Sequence, residues 1–374
     1  MEYNGELIGH QSPLPADIIV EILARLTVKS LCRFRCVSKP WRSLISNTKF
    51  IALHDRKALE DKHVYLGRRR VIFTVPISQF YCFYSLDLDE FLTRADDHDG
   101  LVMATKLDFV HQELSADDFW NPHIYACNNL LLLYNVNSGW HLVNPATREI
   151  RKVAETPSWW MIRGQFEPRI SMINGFGFDC STNEYKVVMG LSFFKKKDDD
   201  IEGVMFSVYT LETDSWRTIE YLFPYCPQNS PGFFLNGAVH WLGMSTVGDG
   251  DGLILSLLLA EEVVREIQLP LLDDSQYWSA RLGVFRDCLC ITFKEYKNGY
   301  YDEFWVMKEY GSFVMYNFKE DSFRRICDIT EVSDRVQSVG TYVEGLVPLS
   351  TDNRLNRSCR QDESSIKEAR KEEK

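Results

Sequence analysis

The chain has 374 residues, a formal net charge of −11 and 45% hydrophobic residues. That length predicts two or three domains, or one small module beside a large one, with apolar content enough for a sizeable core. The acidic balance argues against a whole-chain nucleic-acid binder, and the longest apolar run, Leu253–Ala260, is too short to span a bilayer.

The first thirty residues carry no basic flank followed by an apolar stretch. The expectation is therefore an intracellular protein, cytoplasmic or nuclear, without a signal peptide. The RRR run at 68–70 is too short to read as a nuclear signal. Ten cysteines are then expected to be reduced. Cys32 and Cys36 lie one helical turn apart, and Cys288 and Cys290 alternate as on a strand. That spacing favours small packing residues over metal ligands.

Residues 12–53 read as helical. In PADIIVEILARL, residues Ile18, Ile19, Ile22, Leu23 and Leu26 form one apolar stripe. Pro15 and Asp17 suit a first turn. Thr27 can cap a second helix, on which Leu31 and Phe34 face one way. Ser38 can cap a third, with Pro40 in its first turn and Trp41, Leu44 and Ile45 inward. Three short helices bury too little surface to be comfortable alone, so some of their apolar face should meet a partner or the rest of the chain. Arg33, Arg35, Lys39 and Arg42 lie close together, but without interleaved aromatics they read as a solvated face or as salt links to an acidic partner.

Residues 54–100 read as a connector in which YCFYSLDLDEF alternates like an edge strand. From 101 to 349 the texture is short strands and turns. VYTLETDSWRTI is a strand, a four-residue turn and a returning strand opened by an aromatic. VMYNFKEDSFRRI repeats that spacing, matching Tyr209, Leu211 and Trp216 with Tyr316, Phe318 and Phe323. GFGFDCSTNEYKVV, HLVNPATREIRKV and LLLAEEVVREIQLP are looser copies. Hairpins recurring about every 35 residues predict a β-propeller or related radial array, with a β-sandwich as the competing reading. Trp216 and Trp241 read as packing between sheets, and Asn144, Pro145 and Asn236-Gly237 as turn chemistry. KKKDDD at 195–200 reads as a solvated loop, and the charged stretch 350–374 as a disordered tail.

Catalytic signals are weak. Asp96, Asp97, His98 and Asp99 lack distant partners that would complete a metal site. His240 lies among strand residues and reads as a hydrogen-bonded structural group. GFGFD lacks the Lys-Ser/Thr ending of a phosphate loop. No catalytic residue, metal or cofactor is expected.

LPADIIVEILARLTVKSLCRFRCVSKPWRSLI resembles the F-box of plant F-box proteins. LVNPATREIRKV, GFGFDCSTNEYKVV, VYTLETDSWR, FFLNGAVHWL, LGVFRDCLCI, FWVMKEYG and YVEGLVPL resemble, in order, the F-box-associated (kelch-type) domain that follows it. The texture is similar to that of immune-regulating F-box proteins, and the S-locus F-box proteins share it. The resemblance implies an α+β multidomain chain: a three-helix F-box at 12–53, a connector at 54–100, a propeller-like substrate-recognition domain at 101–349 and a tail.

It also implies a substrate-recognition subunit of an SCF (Skp1–cullin–F-box) ubiquitin ligase, itself without catalysis and connected through Skp1 to cullin and RING subunits. The positions matched to the Skp1 contact are Leu14, Pro15, Ile18, Ile19, Ile22, Leu23, Leu26, Val28, Leu31, Val37 and Trp41. For each of them a place in the module's own core is the competing reading. A Skp1-binding scaffold that drives no degradation is the alternative function, and an enzyme built on a propeller a third.

Two departures stand out. After Gly311 the family pattern continues through roughly 30 to 40 residues that this chain lacks, about one repeat, which puts ring closure in question. Where the family often has CNGL this chain has CNNL, and Asn129 can still adopt the left-handed turn conformation that glycine would take.

Overall fold

The computed structural model describes residues 14–77, 80–94, 103–114, 123–135, 139–155, 172–194, 201–221, 225–227, 231–245, 252–269, 280–285, 288–294, 301–309, 312–315 and 338–349. Helices come first: α1 (Ala16–Leu23), α2 (Val28–Phe34), α3 (Lys39–Ile45), α4 (Thr48–Glu60) and α5 (Lys62–Leu66). Pro15 is the N-cap of α1, and its carbonyl accepts from the N–H groups of Ile18 and Ile19. Ser38 caps α3 as expected, its hydroxyl accepting from Trp41 N–H at 3.3 Å. Thr27 stands at the N-cap of α2, but its hydroxyl pairs with Ser30 Oγ at 3.2 Å instead of a backbone N–H. Helical structure runs past the expected boundary at 53, because α4, capped by Asn47 and anchored in the helical core by Phe50 and Ile51, continues to Glu60.

The β-region begins inside the stretch read as a connector. β1 (Arg69–Ile77) and β2 (Phe80–Asp87) are followed by α6 (Leu88–Arg94), β3 (Thr105–Lys106) and α7 (Asp108–Glu113). β4 (Ile124–Cys127), β5 (Leu130–Asn135), β6 (Gly139–Asn144) and β7 (Glu149–Lys152) make a second sheet. β8 (Met172–Asp179), β9 (Glu184–Phe194), β10 (Ile201–Thr210) and β11 (Ser215–Tyr221) make a third. β12 (Tyr225–Pro227), β13 (Phe233–Leu235), β14 (Ala238–Ser245), β15 (Gly252–Leu258) and β16 (Val263–Gln268) make a fourth. β17 (Ala280–Phe285), β18 (Cys288–Lys294), β19 (Tyr301–Glu309) and β20 (Ser312–Met315) make a fifth.

The first sheet is completed by the last described strand, β21 (Ser338–Val343), in the order β21-β1-β2-β3. β2 is therefore an internal strand, not an edge. β2 pairs with β1 on one side and with β3 on the other, at Tyr84↔Lys106 and Ser85↔Thr105, while β1 pairs outward with β21 from Arg69↔Val343 to Thr74↔Ser338, a partner invisible to local pattern.

The expected repeat is present as a recurring hairpin. Four-residue turns join β6 to β7 (145–148), β8 to β9 (180–183), β10 to β11 (211–214) and β15 to β16 (259–262). In each, the fourth residue has positive φ: Arg148 at 61°, Asn183 at 60°, Asp214 at 50° and Glu262 at 56°. A left-handed last residue lets a four-residue loop reverse the chain without splaying the strands. The copy at 313–325 lies largely outside the described residues.

Successive sheets share apolar clusters. Ile72, Phe83, Leu131 and Val143 join the first two sheets; Trp140, Leu142, Tyr185 and Tyr209 the second and third; Val208, Trp241 and Leu255 the third and fourth; Ile254, Ile267 and Leu289 the fourth and fifth. Trp216 Nε1 donates to Ala154 O at 2.9 Å, and Trp241 Nε1 to Asn174 O at 3.0 Å. Both tryptophans thus bridge neighbouring sheets, as read from sequence, while satisfying the one polar group indole carries. Among the described residues no such cluster joins the fifth sheet to the first. The juncture where the sequence reading places the missing repeat, after Gly311, falls beside residues 316–337, outside the described set.

Candidate interaction surface

The amphipathic stripe of α1 divides into the two edges expected of it. Ile19, Val20 and Leu23 point into a core shared with Ala24, Val28, Leu31, Leu44, Ile45, Phe50 and Ile51. On the other edge Leu14, Ile18 and Ile22, spaced four apart, are 48%, 47% and 48% exposed. Pro15 beside them is exposed. Val37, after α2, is 67% exposed. Leu26 and Trp41 are half-buried against the core, with Trp41 edge-on to Phe34 at 5.2 Å. The matched positions therefore separate into Leu14, Pro15, Ile18, Ile22 and Val37 at the surface, and Ile19, Leu23, Val28 and Leu31 beneath, where they hold α1 in place. Covering the exposed half of Ile18 and of Ile22 on α1 would contribute roughly 1 kcal/mol apiece.

The neighbouring basic residues have mixed roles. Arg33, Lys39 and Arg42 are exposed. Arg35 donates to Ile45 O, and Arg42 Nε to Arg35 O, each at 3.4 Å, so this pair ties α2 to α3.

The helical module is fixed to the β-region by buried polar chemistry. Arg68, fully buried, donates through Nη2 to Ala24 O at 2.7 Å and Leu26 O at 3.0 Å, and through Nη1 to His54 O at 2.8 Å. The Ala24 and Leu26 carbonyls lie just past the end of α1, where a cation complements the helix dipole, and His54 is on α4. Burial lowers the Arg68 guanidinium to about 10, with Asp55 and Glu344 opposing, so it remains charged at neutral pH. Because Arg68 can only donate, the 3.2 Å contact to His54 Nδ1 leaves Nε2–H to donate to Leu26 O at 3.1 Å. Arg70 bridges Asp87 at 2.6 Å and Glu344 at 3.0 Å, and Arg69 lies over the Tyr65 ring. The RRR run is structural.

Asn129 corrects a reading. Positive φ falls on Asn128, at 50°. Asn129 instead buries its side chain, with Oδ1 accepting from Tyr185 OH at 2.5 Å and Nδ2 facing the Asp55 carboxylate of α4 at 3.5 Å. The residue that departs from the family pattern is a link between the two modules. Sequence offered one signal, a polar residue where a glycine was expected.

Elsewhere the polar groups serve packing. His240 Nδ1 lies 2.7 Å from Ser256 Oγ and Nε2 3.2 Å from Leu235 O, inside the fourth sheet. Burial lowers its pKa to about 4 and keeps the ring neutral. Burial alone would raise the Asp179 carboxyl, but hydrogen bonds from Lys186 and Ser181 outweigh that and hold it well below the ordinary range. Lys186 also donates to Leu259 O at 2.6 Å, joining the third and fourth sheets. Among the described residues no three His, Cys, Asp or Glu side chains group to hold a metal, and no helix is long and apolar enough to cross a membrane. Asp96–Asp99, the 195–200 loop and the tail from 350 lie outside the described residues.

Comparison with known proteins agrees with this division. Residues 12–53 match the F-box domain, and residues 76–316 match the F-box associated beta propeller domain. An F-box/kelch-repeat protein of Arabidopsis thaliana is 26% identical over 80% of this chain and 76% of its own length. The F-box protein CPR1 of the same plant is 25% identical over 80% of this chain and 70% of its own length. A further Arabidopsis thaliana F-box protein is 27% identical over 68% of this chain and 64% of its own length. An exposed apolar helix edge at 14–22 on a module that matches the F-box, joined to sheets that match the associated propeller, makes this chain a member of the F-box protein family with an F-box-associated β-propeller domain.

Proposed function

We propose that the chain is the substrate-recognition subunit of an SCF-type ubiquitin ligase. The single observation that carries this reading is the half-exposed edge of Ile18 and Ile22, on a helix whose opposite edge is fully packed. A single-faced helix with that spacing fits an apolar groove on an adaptor of the Skp1 type. The β-domain then holds a target protein through its loops, and cullin and RING subunits joined through the adaptor bring the ubiquitin-charged enzyme that performs the transfer. The chain contributes position and selection, not a reacting group. The working compartment is the cytoplasm or nucleus, and the resemblance of the sequence to immune-regulating F-box proteins favours a target in plant defence.

The test is affinity purification of the tagged chain from plant cells with and without proteasome inhibition. The reading expects Skp1-type adaptor and cullin in both samples, and a captured protein that accumulates only on inhibition. Adaptor capture with partner levels indifferent to inhibition would place the chain as a non-degradative scaffold instead.

A further inference from the structure

The F-box core is finished by the far end of the chain. Leu346, 1% exposed, belongs to the same apolar cluster as Ile19, Leu23, Val28, Leu31 and Ile45. Val347 packs against that cluster and also against the one between the second and third sheets, to which Leu349 belongs. Ala146, from the turn between β6 and β7, touches the F-box cluster as well.

Residues 343–349 are tethered along their length. Val343 N–H donates to Asn128 O at 2.8 Å, and Glu344 N–H to Arg68 O at 3.0 Å. Asn144 Nδ2 donates to Gly345 O at 3.1 Å and Val347 O at 2.9 Å. Its Oδ1 accepts from Ala146 and Thr147 N–H, so this fully buried amide uses both donors and both lone pairs. Leu349 N–H donates to Glu149 Oε2 at 2.8 Å. The segment emerges directly from β21, whose pairing with β1 closes the first sheet.

We propose that residues 343–349 are a latch which completes the F-box, so that adaptor docking by α1 depends on a closed first sheet, with Leu346, Asn144 and Arg68 as positioning residues. A three-helix unit that buries too little on its own acquires its last core residue only when β21 has paired. During synthesis the F-box emerges first, yet it reaches its docking shape last. A chain that fails to close its β-domain then presents α1 on a loosened support, and so competes poorly for adaptor. This inference rests on the adaptor reading above.

The experiment uses the full-length chain and a purified Skp1-type adaptor, reading amide hydrogen exchange and adaptor affinity together. Leu346→Asp and Asn144→Asp are expected to speed exchange in α1–α3 by about tenfold or more while β8–β10 exchange as in wild type, and to weaken adaptor binding by a similar factor. Leu346→Met, which keeps the apolar volume, is expected to restore both. The inference is overturned if wild type binds and Leu346→Asp binds equally tightly, or if its α1–α3 exchange is unchanged. If wild type itself fails to bind, the adaptor reading fails; the exchange data then decide separately whether 343–349 completes the helical core, and wild-type exchange in Leu346→Asp would end that claim too.

Discussion

Arg68 ties the helical module to the β-region directly, and Asn144 does so through the segment that carries Leu346 into the helical core. Each sits where main-chain groups would otherwise be buried without partners, and such groups cost about 1–3 kcal/mol apiece when orphaned. His240 plays the same role within one sheet, and its chemistry gives a measurable pH signature. An unfolded histidine takes up its proton near 6.5, but the folded site does so only near 4. Between those values the unfolded chain binds more protons, so stability present above pH 6.5 is lost as pH falls toward 4. The contribution is roughly 3 kcal/mol by that linkage. His240→Asn is expected to flatten this part of the stability profile in denaturant titrations at stepped pH; an unchanged slope would mean that His240 titrates normally. The residue type was legible as structural, because it lay in a strand pattern. Its partners, Ser256 and Leu235, were not, because they come from the adjacent strand and from the far side of a turn.

Among the elements, α1 and the hairpins were the most legible. Both are local: the i, i+3, i+4 stripe of α1 and the four-residue turns are complete within a dozen residues. Which edge of α1 is covered was not legible, since Leu346 lies more than three hundred residues away. The first sheet was misread for the same reason, with β1 and β2 assigned to a connector although β1 pairs with β21. The turn Asn128-Asn129 shows a finer limit. Sequence marks the turn but not which of its two residues takes positive φ, and here Asn129 is needed elsewhere, against Tyr185 and Gly345. A Cβ at Gly345 would collide with the Asn129 side chain. Gly345→Ala should therefore destabilise the chain by about 1–3 kcal/mol. Asn129→Gly should relieve most of that in the double variant, giving a coupling of about 1 kcal/mol or more. Additive effects in urea unfolding would show that the two residues are not in contact.

At the scale of the whole molecule, strand β21 and the segment 343–349 that follows it connect the helical module near the start of the sequence to the β-sheets. The first sheet takes its outer strand from far along the chain, beyond the point where the sequence reading expects a repeat to be missing. Arg68 and Asn129 bond across to the helices, and Asn144 bonds the segment that carries Leu346 into their core; in the proposed receptor these ties would set the distance between target and adaptor.

All of this has a function only if α1 docks. Equilibrium binding of a purified Skp1-type adaptor to the full-length chain and to an Ile18→Asp/Ile22→Asp variant is the most direct measurement. Both isoleucines are on the exposed edge, so the variant should melt like wild type. The account predicts tight binding by wild type and a loss of about tenfold or more in the variant. Equal binding by the two, with unchanged melting, would contradict it.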